Sequence, residues 1–214
     1  MGSYEKDIDS KIHNKQELPK KLDISILKYF WQSSLLSSER KSAIPYFLRN
    51  VESLKNFSDN ELRVLSKYLH LRSFTENEAV FEQGDRGVGF YYIMAGEIEL
   101  DASEIDLTSE YVEVTDGDKK RHIATLEKYD HFGELALLQE NSIRTASART
   151  KSETLLVGIF KPDMEEMIVE APVVAGKLLQ SISVILANRL ANVTLELSLL
   201  IKRNRELEKN HEKN

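Results

Sequence analysis

"HFGELALLQENSIRTA", residues 131–146, sets a glutamate directly after a glycine, continues with a short apolar run and places Arg144 ten positions beyond Glu134. Gly133 has no Cβ, so the backbone there turns sharply and a ligand comes close. "ELALL" has the character of a single helical turn. Its first N–H groups have no intrahelical acceptor and, with the local dipole, make a site for one anion. Arg144 opens the next strand, where its guanidinium forms forked, charge-assisted contacts with phosphate oxygens, and Thr145 adds a hydroxyl beside it. An acid next to an anion is out of place unless it accepts hydrogen bonds from hydroxyls of the same ligand, as an acidic side chain does with a ribose in dinucleotide folds. The implied ligand has one phosphate, a free sugar hydroxyl and an apolar body. In isolation a Gly-Glu turn with a downstream arginine is more often a surface ion pair of little energetic weight, so the surroundings decide.

Upstream, from Glu78, glycines fall between short runs rich in Val, Ile, Phe and Tyr: "EAVFEQGD", "GFYYIMAGEIEL", "YVEVTDGDKKRHIATLE", and further on "RTASART" and "TLLVGIF". These are strand and turn signals. "MAGEIEL" predicts a hairpin turning at Gly96, and the Asp-Gly pair at Gly117 predicts a second. Roughly eight short strands at this spacing predict a barrel or jelly roll. Phe90, Tyr91 and Tyr92 fit core packing better than a base-stacking platform, and His131 fits a turn better than a ligand position. Before the strands, Ser58 with Glu61 three residues on predicts a capped amphipathic helix. A further helix is expected near "DISILKYFWQSSLL", after a polar lead-in.

After Lys161-Pro162 the pattern is helical to the end, with the proline in a favoured first-turn position. Leu179, Leu186, Val193, Leu200 and Leu207 recur every seven residues, and Leu190, Leu197 and Asn204 take the alternate core positions. This predicts a short coiled-coil seam in a parallel homodimer. The competing expectation is that the stripe packs on its own barrel.

The chain has 214 residues, 41 % of them hydrophobic, a net charge of −6 and a pI near 5.5. That acidity argues against a direct nucleic-acid partner, which needs a basic surface to displace counterions. There is no cysteine, and the histidines at 13, 70, 122, 131 and 211 lack metal-ligand spacing, so no metal site is expected. No signal region and no bilayer-spanning stretch are read from the sequence, which sets a cytoplasmic location and no membrane partner as the expectation.

With these elements placed, Phe132-Gly133-Glu134-Leu135-Ala136-Leu137 followed by Arg144-Thr145-Ala146 resembles the phosphate-binding cassette of cyclic-nucleotide-binding domains. The likeness extends upstream through "FEQGDRGVGFYYIMAGEIEL" and covers about residues 43 to 200. It implies an α+β fold: an eight-stranded antiparallel β-roll (jelly roll) flanked by N-terminal helices and a long C-terminal dimerisation helix. It also divides the chain into a polar and helical extension (1–42), the β-roll with its leading helices (43–161) and the C-terminal helices (162–214).

By the resemblance, Arg144 binds the cyclic phosphate with Thr145 and the backbone N–H groups around Leu135 and Ala136. Glu134 takes the ribose 2′-OH, and Gly133 allows the close approach. Ala146 completes the cassette; Leu100, Ala124 and Leu126 line the sugar and base; Asn192, Val193 and Thr194 of the long helix lie nearest the base. One departure stands out: the turn before the cassette, commonly Gly-Asp in the family, reads Tyr129-Asp130, so a different backbone is expected there.

The implied function is a receptor or regulatory module for a cyclic mononucleotide, cAMP favoured over cGMP, acting on an unidentified downstream protein. The alternative is a dimerisation scaffold with an unused pocket. An enzyme of cyclic-nucleotide turnover would need a metal cluster or a positioned base, and neither is read in the sequence.

Overall fold

The structure, a computed structural model, describes residues 43–103, 105–106, 113–114 and 121–211. The helix expected within residues 23–36 and the turn at Gly117 lie outside the described residues. Helix α1 (Ile44–Leu48) carries Pro45 in its first turn, and a 3-10 turn follows at Glu52–Leu54. Helix α2 (Asp59–Leu65) begins with the anticipated capping box: Ser58 N donates to Glu61 Oε2 at 2.7 Å, and Glu61 N donates to Ser58 Oγ at 3.3 Å.

Among the described residues ten strands follow, eight of them in two four-stranded antiparallel sheets. They are β1 (His70–Phe74), β2 (Ala79–Phe81), β3 (Gly89–Ala95), β4 (Ile98–Ala102), β5 (Ile105–Asp106), β6 (Glu113–Val114), β7 (Arg121–Leu126), β8 (His131–Phe132), β9 (Ser147–Thr150) and β10 (Thr154–Phe160). The first sheet has the order β1-β10-β3-β8 and the second β2-β9-β4-β7; β5 and β6 form a separate two-residue ribbon. A single helical turn, α3 (Leu135–Leu138), separates β8 from β9. Helices α4 (Lys161–Glu170, with Pro162 in its first turn) and α5 (Pro172–His211) close the chain.

Two apolar cores explain why "GFYYI" is an unbroken run. Tyr91 and Ile93 of β3 face between the sheets with Phe74, Phe81, Ile98, Phe132 and Leu156. Phe90 and Tyr92 alternate to the other face, where α1, α2, α4 and the first turns of α5 cover them. The first sheet is thus buried on both faces, and residues 90 to 93 are at most 1 % exposed. Each such side chain removed from water contributes roughly 1.5–3 kcal/mol. Among the described residues, the second sheet packs one face into the core between the sheets.

Four expectations change. Gly96 does turn with φ +85°, yet β3 and β4 belong to different sheets, so the turn carries the chain across the roll rather than closing a paired hairpin. His131 is not a turn residue but sits in β8 opposite Tyr92. The apolar stripe of α5 divides: Leu179 and Leu186 pack against the domain's own helical core beside buried Leu178 and Ile182, whereas Leu190, Val193, Leu197, Leu200 and Leu207 are exposed. The stretch Pro172–Lys209, with a window of mean hydropathy 1.5, is also long and apolar enough by composition to cross a bilayer, which the sequence expectation had denied.

Candidate functional site

The cassette spans β8, α3 and the segment leading into β9, and Arg189 of α5 reaches it. Gly133 has φ +83°, and a Cβ there would stand 2.5 Å from Arg144 Nη1 and 2.9 Å from the Gly89 carbonyl oxygen. Only glycine permits that approach. Glu134 then starts α3, with its residue surface 4 % exposed. The Ala136 N–H donates to the Gly133 carbonyl at 3.2 Å, so this group is committed within the turn.

Arg144 is 4 % exposed. Its Nη2 donates to the Gly89 carbonyl at 2.8 Å and its Nη1 to the Gly133 carbonyl at 3.3 Å. The guanidinium carbon sits 3.9 Å from the centre of the Phe81 ring, a cation–π contact that orients the fork from behind. Backbone bonds fix its base: Arg144 N donates to Asp85 O at 2.8 Å, and Gly84 N to Arg144 O at 2.9 Å.

Together these residues border an open cleft of about 470 Å³, lined by Phe81, Leu100, Phe132–Leu135, Ser142–Ala146 and Arg189. The lining brings together Gly133, Glu134, Leu135, Arg144, Thr145, Ala146 and Leu100 from the sequence-derived set. Ala136 is fully buried beneath it. Ala124 and Leu126 of β7 are half-buried, opposite Leu100 and Ile98, and fall outside the lining. Asn192, Val193 and Thr194 are exposed and outside it as well, with the Thr194 hydroxyl donating to Leu190 O at 2.8 Å.

In their place α5 presents Arg189, three residues before Asn192. Its Nη1 pairs with Glu134 Oε1, and its Nη2 reaches the His131 carbonyl at 3.5 Å. The seating of Ile182 and Leu186 on the core sets this rotation of the helix. A signal for it existed: Arg189 is the single basic residue between Lys177 and Lys202. Phe81, the ring beneath Arg144, has no comparable mark in the sequence.

Behind the cassette, burial pushes the His131 imidazole pKa down and the Arg189 charge pushes the same way, opposed by Glu134 and Asp130. Burial likewise raises the Tyr92 phenol. The turn that departs from the family pattern keeps a glycine-like backbone: Tyr129 has φ +79°, and Asp130 N donates to Glu127 O at 3.0 Å, a type II turn with its left-handed position filled by a tyrosine. The Tyr129 ring stacks on Phe47 with centroids 5.5 Å apart.

A two-sheet roll holding this cassette under a long helix is a cyclic-nucleotide-binding domain, and residues 71–171 match the family model of that name. This domain, just under half of the chain, is similar to the corresponding part of catabolite-activator-like proteins. It is 31 % identical over 140 residues to a cyclic AMP receptor protein of Thermus thermophilus, covering 65 % of this chain and 57 % of that one. It is 31 % identical over 118 residues to a cAMP-dependent protein kinase regulatory subunit of Mycosarcoma maydis, covering 55 % of this chain and 20 % of that one. Similarity to cGMP-dependent protein kinases runs at 24 % to 28 % identity. The crystal structure of Thermus thermophilus catabolite activator protein superposes with a TM-score of 0.57 at 28 % identity, over 69 % of this chain and 62 % of that one. The chain thus spans under two thirds of the length of these relatives.

Proposed function

We propose that this protein is a cytoplasmic receptor for a cyclic mononucleotide, cAMP in preference to cGMP, and that it passes the binding event to α5. One observation carries the reading: Arg144 and Glu134, each 4 % exposed, face one cleft, and Glu134 is tied to Arg189 of the long helix. A buried guanidinium beside a buried carboxylate suits a ligand that offers a phosphate to one and a hydroxyl to the other. Arg189 holds Oε1 of Glu134, and the second carboxylate oxygen serves the ribose 2′-OH. The names of the first two relatives favour cAMP.

Ligand binding shifts α5 only by its difference in affinity for two helix positions, and the Glu134–Arg189 contact is where such a difference arises. The exposed residues Leu190, Val193, Leu197, Leu200 and Leu207 form the seam for a second copy. A regulatory role is what the names of the relatives favour, a cyclic AMP receptor protein and a kinase regulatory subunit among them. The test is a calorimetric titration of nucleotide-free protein with cAMP and with cGMP. Binding that Arg144→Ala weakens tenfold to a hundredfold or more, the loss of a charged hydrogen bond of about 1.5–3 kcal/mol, supports the receptor. Unaltered affinity in Arg144→Ala removes the site from this cleft, and no binding of either nucleotide favours the scaffold.

A further inference from the structure

Three potential metal ligands converge on the outer face of the second sheet, away from the cleft. Glu99 and Asp101 sit two apart on β4 and so share a face, opposite the face of Leu100, which lines the cleft. His122 comes to them from β7. Its Nδ1 lies 3.2 Å from Glu99 Oε1 and 3.6 Å from Asp101 Oδ1, and one donor atom from each of the three residues falls within 4.8 Å of the others.

This meeting is a consequence of a β-bulge. From Ile98↔Leu126 through Glu99↔Thr125 to Leu100↔Ala124 the pairing is regular; it then steps to Asp101↔His122 and Ala102↔Arg121, leaving Ile123 without a partner. Strict alternation would give His122 the same face as Ala124, on the Leu100 side. The extra residue moves the imidazole to the acidic side, the re-aiming of a side chain that bulges provide. Thr125 Oγ1 lies 3.4 Å from His122 Nε2, on the ring edge away from the acids, where an outer partner of a ligating histidine belongs. Across β4, Arg149 is opposite Glu99 in register, but its guanidinium is directed to Glu82 Oε1 at 2.9 Å and Asn77 O at 2.8 Å. Linear spacing of the histidines is blind to this cluster because two strands bring it together.

We propose that Glu99, Asp101 and His122 form a site for a divalent first-row transition cation. Two carboxylates and one imidazole supply an oxygen-rich, three-ligand set that leaves positions for water and suits zinc or manganese. The ion would staple β4 to β7 at the end where β4 leads into residues 103–120.

The test is a calorimetric titration of the chelator-treated full chain with zinc chloride, paired with manganese-induced broadening of the histidine ring signals of the wild-type protein. The site requires one zinc per chain, loss of that binding in His122→Gln and Asp101→Asn, and broadening of His122 ahead of His13, His70, His131 and His211. Zinc binding that persists in His122→Gln, broadening centred on another histidine, or no binding at millimolar zinc would overturn it and leave a surface hydrogen-bonded triad. The broadening is read on wild-type protein, so a variant that fails to fold does not spare the proposal.

Discussion

Arg189 of α5 reaches across to Glu134 at the head of α3, joining a cation at the cleft rim (48 % exposed side chain) to an acid inside the cleft (5 %). In the proposed receptor this one contact is where site occupancy would meet helix position. Removing Glu134 separates its two roles. Glu134→Ala should cost the distinction between cAMP and its 2′-deoxy analogue, for which wild type should show a preference on the order of tenfold, the worth of one charged hydrogen bond. Competition binding with the two nucleotides checks it. An unchanged preference in Glu134→Ala assigns the ribose to other groups.

Tyr129 occupies a left-handed backbone position that costs a side-chain-bearing residue roughly 1–2 kcal/mol, against which stacking on Phe47 returns roughly 0.5–1.5 kcal/mol. Tyr129→Ala keeps the strained backbone and loses the stack, so it should destabilise by about 1 kcal/mol. Tyr129→Gly removes the strain as well and should come closer to wild type. Urea denaturation of the two variants reads the order directly, and Gly less stable than Ala would contradict this account of the turn.

His131 gives stability a pH dependence of known sign. Its pKa is lowered in the fold, so between that value and about 6.5 the unfolded chain binds more protons than the folded one. Stability is therefore complete above about pH 6.5 and falls as pH drops through the folded pKa. Urea midpoints measured across that window should fall less steeply in His131→Gln than in wild type. Parallel slopes would show that His131 contributes none of the dependence.

The proposed dimer rests on the exposed part of α5. Leu197→Glu places a charge in the proposed seam and should turn a dimer into a monomer by sedimentation without altering the roll, because Leu197 is 56 % exposed and supports neither core. A wild-type monomer would reject the seam, and recovery of the chain in the membrane fraction would assign this apolar surface to a bilayer.

Much of the roll and its cassette was legible because they rest on local rules. The Ser58 capping box, the Pro162 helix start and the Gly133 turn each concern residues a few positions apart. Phe90, Tyr91 and Tyr92 were legible as core residues, though not their division between the two faces of one sheet. What escaped depends on how distant elements are set against one another. Gly96 reads as a hairpin, but which sheet each strand joins is decided by the whole topology. Arg189 replaces Asn192 and Thr194 at the cleft because core packing fixes the rotation of α5, and a helical repeat alone fixes no rotation relative to a separate roll. The β7 bulge at Ile123 leaves no mark in composition, yet it decides what His122 meets. At Tyr129 the local rule itself misled: a missing glycine suggested a different backbone, and tertiary packing on Phe47 held the left-handed turn with a tyrosine in it.

The measurement that bears most directly on the central claim is hydrogen exchange along α5 with and without saturating cAMP, in wild type and in Arg189→Ala. The account predicts that cAMP changes the protection of residues around 182 to 193 in wild type and that Arg189→Ala binds cAMP but loses this change. Binding with no change in α5, or an identical change in Arg189→Ala, would contradict transmission through the Glu134–Arg189 contact.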